Sequence, residues 1–165
     1  MTSNTCFVTT RPGGGLLRRR ERIPWRPFKP GELLPGCAFQ IVGPRNVGGM
    51  GEIYEVRDGR GQTAAMKVLS SNLQGRADLV GRMLDEAQAL RLINHPNVVR
   101  WRDAGVLDGG RPYVVTELLR GRTLRAHLRL CGPASPPRAR RWIVALLLAL
   151  DAVHQTELVH CDVKL

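Results

Sequence analysis

Apolar and polar residues alternate with a period of two around Asn46-Val47-Gly48-Gly49-Met50-Gly51-Glu52-Ile53-Tyr54-Glu55-Val56, after the short apolar stretch Phe39-Gln40-Ile41-Val42. That period predicts strand, glycine turn, strand, with a second turn at Asp58-Gly59-Arg60-Gly61. Thr63 to Leu69 follows as an apolar strand interrupted by Lys67. The period then changes. Leu79, Val80, Met83, Ala87, Leu90 and Ile93 recur at three- and four-residue steps, which predicts an amphipathic helix between Arg76 and Asn94. Gly81 opposes that helix at a cost of about 1 kcal/mol relative to alanine. Beyond a polar turn at Leu107 to Arg111, Pro112 to Leu118 reads as a strand, Gly121 as a break and Thr123 to Leu128 as the start of a helix. Ser135 is a candidate N-cap before Pro136 and Pro137. Trp142 to Leu150 is apolar on every face, yet shorter than the roughly 20 residues that cross a membrane. A helix apolar all round is one that neighbours bury all round, so this chain by itself is expected to expose a large apolar patch there, which a partner or a further segment would cover.

Candidate chemistry sits at particular places in this pattern. Glu86 falls inside the helix stripe, three residues after Met83 and four before Leu90, so its carboxylate is expected on the core side. A buried carboxylate needs a cationic partner, and Lys67 is the candidate. Lysine occurs only at Lys29, Lys67 and Lys164, so the other basic residues are all arginine. An ammonium on a flexible stem meets a phosphate as a point charge, which a guanidinium fork does not reproduce. Glycines before a strand let backbone N–H groups close over phosphates. The chain ends on His160-Cys161-Asp162-Val163-Lys164-Leu165.

Taken in order, these segments resemble the protein kinase domain, in the bacterial type of serine/threonine kinase. Asn46 to Ile53 is similar to the glycine loop G-x-G-x-x-G-x-V, with Asn46 at the first glycine, and His160 to Leu165 to the start of the catalytic loop H-R-D-L-x-x-x-N. His95-Pro96-Asn97-Val98-Val99 is similar to the family's H-P-N-I-V. The resemblance covers about residues 37 to 165. It implies an α+β, protein-kinase-like fold: a small lobe and hinge over 37–119, with a five-stranded antiparallel sheet and its C-helix, then the first helices of a large lobe over 120–165. It implies ATP as cofactor and a protein substrate. Asn46, Gly48, Gly49, Gly51 and Ile53 would cover the nucleotide, and Lys67 held by Glu86 would orient its phosphates. Ala65, Thr116, Glu117 and Leu119 would complete the adenine end. Asp162 would accept the substrate proton, and Lys164 would neutralise the transferring phosphate. The Asn of the catalytic loop and the D-F-G Asp would lie beyond Leu165, and with them the Mg2+ ligands, so the expectation is a truncated chain inactive by itself. The alternative is a non-catalytic ATP-binding or kinase-interacting module. Cys161 stands at the usual Arg, which argues against control through a phosphorylated activation loop.

Composition changes the picture only at the N-terminus. The formal net charge is +11, from 25 Lys plus Arg against 14 Asp plus Glu. Arg11, Arg18, Arg19, Arg20, Arg22, Arg26 and Lys29 stand against Glu21 there, among prolines and glycines, so residues 1–36 read as a disordered basic arm. A solvated tail and weak attachment to an acidic surface or nucleic acid both fit the arm; no membrane partner is expected, and nucleic acid is not the favoured one. Cys6, Cys37, Cys131 and Cys161 form no C-x-x-C pair, and His95, His127, His154 and His160 show no metal spacing. No metal site is therefore expected within the chain. Reduced thiols and the lack of an apolar leader after Met1 point to a cytoplasmic protein.

Overall fold

A computed structural model describes residues 27–48, 51–70, 73, 76–157, 159–160 and 163–164. Five strands form one antiparallel sheet: β1 (Phe39–Gly48), β2 (Gly51–Asp58), β3 (Thr63–Leu69), β4 (Trp101–Val106) and β5 (Pro112–Glu117). Their order across the sheet is β1-β2-β3-β5-β4. Helix α1 (Ala77–Leu92) connects β3 to β4, and α2 (Leu124–Cys131) and α3 (Pro136–His154) follow β5.

The two faces of the sheet bury different sets of residues. Alternation along β2 and β3 directs Tyr54, Val56, Ala64, Met66 and Val68 to one side, where they join Ile41, Tyr113 and Val115 in the main core. The other side carries α1. Met83 and Ala87 from the helix pack with Leu69 and Val114, and Leu79, Val80, Trp101 and Ala104 border that cluster. This is the stripe that the sequence pattern predicts. Ile93, at the end of α1, is extended, and Pro96 soon after disfavours any continuation of the helix.

β1 runs further than its apolar stretch suggests. It pairs with β2 as far as Gly48 opposite Gly51, and two register shifts, between Ile41 and Gly43 and between Pro44 and Asn46, accommodate the change. Bulges of this kind bend a strand, and an edge strand tolerates Pro44 because its neighbour lies on one side only.

Two expectations need correction. Residues 27–36, assigned by composition to the basic arm, are tied to the fold by backbone hydrogen bonds and by one buried side chain. Gly31 N–H donates to the Ile41 carbonyl and Ile41 N–H to Glu32, while Leu34 lies 2% exposed in the main core. Gly36 sits at φ +90°, and a Cβ there would come within 2.8 Å of the Asp108 backbone nitrogen, so the segment hooks over the β4–β5 turn without room for a side chain. Charge and proline dominated the composition, but Leu34 in the core, with Phe28 and Cys37 packed against it, anchors the segment, while Leu33 beside it is exposed. Ser135 does precede α3, yet its side chain makes no capping hydrogen bond, whereas Thr123 caps α2 by accepting from Ala126 N–H. The apolar patch expected on the third helix is present: no described residue of α3 is buried, and Ile143, Leu147 and Leu148 are each more than half exposed. Nothing among the described residues covers that side of the helix. α3 meets the rest at Asn97, whose Nδ2 donates to the Ala145 carbonyl at 3.2 Å, and at Trp142, edge-on to His127 of α2.

Leu34→Ala is expected to lower the unfolding free energy by about 3 kcal/mol, measured by urea denaturation; a loss below about 0.5 kcal/mol would detach this segment from the core. Gly81→Ala is expected to raise stability by about 0.5–1 kcal/mol in the same assay, since a Cβ there meets nothing within 4 Å.

Candidate nucleotide site

Antiparallel partners share a face, so the register assembles the site residues row by row. Asn46 pairs with Ile53, Ile53 with Lys67, and Lys67 with Val114. The adjacent row on the same face runs Glu55, Ala65, Thr116. Asn46, Ile53, Ala65, Lys67 and Thr116, separated by up to 70 positions in the sequence, thus lie on one side of the sheet, the side that α1 also occupies. Gly51 closes the row at the turn. A Cβ on Gly51 would meet the Val68 carbonyl oxygen at 2.9 Å, so only glycine allows β2 to lie this close to β3. Gly48 is its partner across the hairpin. Gly49 lies outside the described residues.

Lys67 Nζ donates to Glu86 Oε2 at 2.7 Å, joining β3 to α1. The pair differs from expectation in one respect. Its side chains are 42% and 50% exposed, so Glu86 stands at the rim of the helix stripe rather than under it. The spacing of i−3 and i+4 defines a face about 100° wide, and position within that width decides between core and rim. An exposed pair of this kind adds little stability, in the range of about 0–1 kcal/mol. Its value lies elsewhere. An ammonium has three donors, and a single carboxylate contact leaves the others for a ligand.

At the far end of β5, Thr116 Oγ1 donates to the Glu117 carbonyl at 3.3 Å. Glu117 N–H donates to the Arg100 carbonyl at 2.9 Å, and the Glu117 carboxylate accepts from Arg100 N–H at 2.8 Å. That N–H is therefore committed, and a base reading this segment would have to use its other backbone groups. Leu119 is 69% exposed. None of these residues lines the open depression along α3, which is bordered by Asn97, Arg140, Arg141, Val144, Ala145 and Leu148.

The sequence matches the protein kinase domain over residues 42–165. The chain belongs to the protein kinase family. It is 40% identical over 118 residues to the serine/threonine-protein kinase PknE of Mycobacterium bovis, an alignment covering 71% of this chain and 21% of that protein. To the probable serine/threonine-protein kinase PknB of Bifidobacterium longum it is 31% identical over 140 residues, covering 79% and 20%. Among solved structures, the Mycobacterium tuberculosis PknI kinase domain superposes with a TM-score of 0.71 at 25% identity, over 84% of this chain and 57% of that one. The fold is accordingly that of a kinase small lobe with part of the large lobe, and the relatives are of the serine/threonine branch. The chain spans about a fifth of the length of these curated relatives.

Within this kinase fold, Lys164 of the catalytic-loop motif is exposed, and Asp162 lies outside the described residues. On the opposite side of the sheet is a group that the sequence motifs do not mark. Glu52 is 1% exposed and Arg111 8%. Arg111 Nη2 lies 3.2 Å from Glu52 Oε2, close enough for charge pairing although not aligned as a directed hydrogen bond, and Arg111 Nε donates to the Leu69 carbonyl at 3.0 Å. Tyr54 O–H donates to the same Glu52 oxygen. The signal was present in the sequence, since Glu52 shares the parity of Tyr54 and Val56, the buried side of β2.

Burial, and then the hydrogen bond to Glu52, push the Tyr54 phenol up to about 12. Burial, and next the Asp103 charge, push Tyr113 up as well. A raised phenol pKa means that the folded state holds the proton more tightly than the unfolded one. The associated stability is complete below the unfolded value near 10 and disappears as pH rises toward and through the folded value. The urea midpoint is therefore expected to hold up to about pH 10 and to fall between about pH 10 and about pH 12, and Tyr54→Phe is expected to make that fall shallower.

Proposed function

We propose that the face carrying Lys67 binds ATP, and that the protein transfers its γ-phosphoryl group to serine or threonine hydroxyls of a protein substrate. The observation that carries this reading is the Lys67–Glu86 contact at 2.7 Å, with the lysine still accessible on the same face as Ile53, Ala65 and Thr116. Lys67 would meet the α and β phosphates, with Glu86 holding its ammonium in place. Ile53 and Ala65 offer apolar surface to the base, and Thr116 marks the back of that pocket, followed by the backbone from Glu117 to Leu119. Gly48, Gly49 and Gly51 leave the turn open for N–H groups to approach phosphate oxygens, and Asn46 replaces the first glycine of that turn. Bound ATP would supply the phosphoryl group. Asp162 would take the proton from the attacking hydroxyl, and Lys164 would balance charge on the transferring group.

Mg2+ is implied by the same chemistry, bound with the phosphates of ATP. A second reading is that these residues bind ATP or another kinase without transferring phosphate, for which the accessible Lys67 would be enough. ATP as donor would put the reaction in the cytoplasm. No helix among the described residues is long and apolar enough to cross a membrane. The exposed apolar side of α3 supports a covering segment or partner, because such a patch is costly in water.

The test separates binding from transfer. The purified chain is expected to bind a fluorescent ATP analogue, and Lys67→Met, in a sample with unchanged circular dichroism, is expected to weaken that binding at least about tenfold, the loss of one charge-assisted phosphate contact. Unchanged affinity would remove Lys67 from the site. Mg2+-dependent phosphate incorporation into a protein substrate, lost in Asp162→Ala, would decide for transfer over the second reading.

A further inference from the structure

Of the ion pairs among the described residues, Glu52–Arg111 is the buried one, with side chains 2% and 10% exposed. Stability alone does not account for it. Two charges withdrawn from water recover little more than their desolvation cost, and apolar residues of similar volume often pack as well or better. What an ion pair adds is direction. Arg111 stands immediately before β5, its Nε is bonded to the carbonyl of Leu69 at the end of β3, and its Nη2 faces Glu52 at the start of β2. One guanidinium therefore joins three strands at the glycine end of the sheet.

A fourth segment completes the group. The Phe28 ring lies under the guanidinium, 5.0 Å from ring centroid to Cζ, and edge-on to Tyr54 at 5.5 Å. Phe28 N–H donates to the Tyr54 hydroxyl at 3.1 Å, and that hydroxyl donates to Glu52. Phe28 precedes the region that matches the kinase family, which begins at residue 42. Because β2 alternates, Glu52 on the buried face sits between Gly51 and Ile53 on the nucleotide face. With Gly51 already tight against the Val68 carbonyl, the position of those two residues has little slack once Glu52 is held.

We propose that Phe28, Arg111 and Glu52 are positioning residues, through which the segment before β1 regulates the nucleotide face by setting where Gly51 and Ile53 stand. This rests on the ATP reading above. Whatever draws Phe28 from its seat, by binding the chain N-terminal to β1, loosens the β2 edge and weakens nucleotide binding with no contact to the nucleotide itself.

The experiment uses the whole chain and two mild variants. Phe28→Leu keeps apolar volume but removes the aromatic face; Arg111→Lys keeps charge but removes the planar fork. Three quantities are measured for each: affinity for a fluorescent ATP analogue, amide hydrogen exchange across Gly51–Val56 without nucleotide, and melting temperature. Each variant is expected to weaken nucleotide binding about fivefold, as the loss of one cation–π or fork contact would. Exchange at Gly51, Glu52 and Ile53 is expected to accelerate about tenfold while the central residues of β3 and β5 stay protected. The double variant is expected to do no more than either single one, since both act through one guanidinium. A lower melting temperature with unchanged affinity and unchanged exchange at Gly51–Ile53 would mean a structural role only and overturn the proposal. If the unaltered chain binds no nucleotide, the ATP reading fails by itself, and the exchange data then decide whether the clamp exists: faster exchange upholds it and unchanged exchange removes it.

Discussion

A slip of one residue between β2 and β3 would turn Lys67 into the apolar core and Met66 out onto the face that carries α1, and the placement of every residue on both faces depends on that slip not occurring. The register of Ile53 with Lys67 and Tyr54 with Met66 is held by what lies on the two sides. On one side Tyr54, Val56, Met66 and Val68 are fully buried. Moving them into water while moving an ammonium out of it would cost on both counts, about 25 cal/mol per Å² of apolar surface and several kcal/mol for the charge. The alternation in the sequence is therefore more than a strand signal. It assigns each residue of two neighbouring strands either to the core or to the site.

Two ion pairs on this sheet illustrate opposite uses of charge. Lys67–Glu86 stays half in water, where solvent screens it and the pair contributes little to folding. The same exposure leaves the lysine reachable and lets the contact between β3 and α1 form or part at small cost. Glu52–Arg111 is withdrawn from water, where breaking it would leave an uncompensated charge. It resists rearrangement for that reason. A movable pair on the face that carries α1, backed by a rigid pair behind it, combines access with fixed geometry.

The helices after β5 are held less firmly. α3 is joined to the loop after α1 through the Asn97 side chain and to α2 through His127 and Trp142, and much of its apolar surface faces water. The contrast with the sheet is physical. The sheet closes its main core with its own strands and the segment from Phe28 to Phe39, whereas a helix apolar on all faces needs neighbours on all faces.

Local pattern carried much of this fold. The period of two around the glycines, the switch to a period near 3.6 between Leu79 and Ile93, and the turn residues at Asp58–Gly61 specified strands, helix and order, because those signals depend on neighbours in the chain. The spacing of Lys67, Glu86 and the glycines carried the family likeness in the same way. Distance in space was another matter. That Glu86 sits at the rim of its stripe, that Leu34 is core while its flanks read as a basic arm, and that Arg111 reaches Glu52 across β3 are facts about which surfaces meet once the sheet is assembled. A single sequence records which face a residue belongs to. How deep that face lies, and which distant charge finds it there, follow only when the strands are side by side and water has been excluded between them.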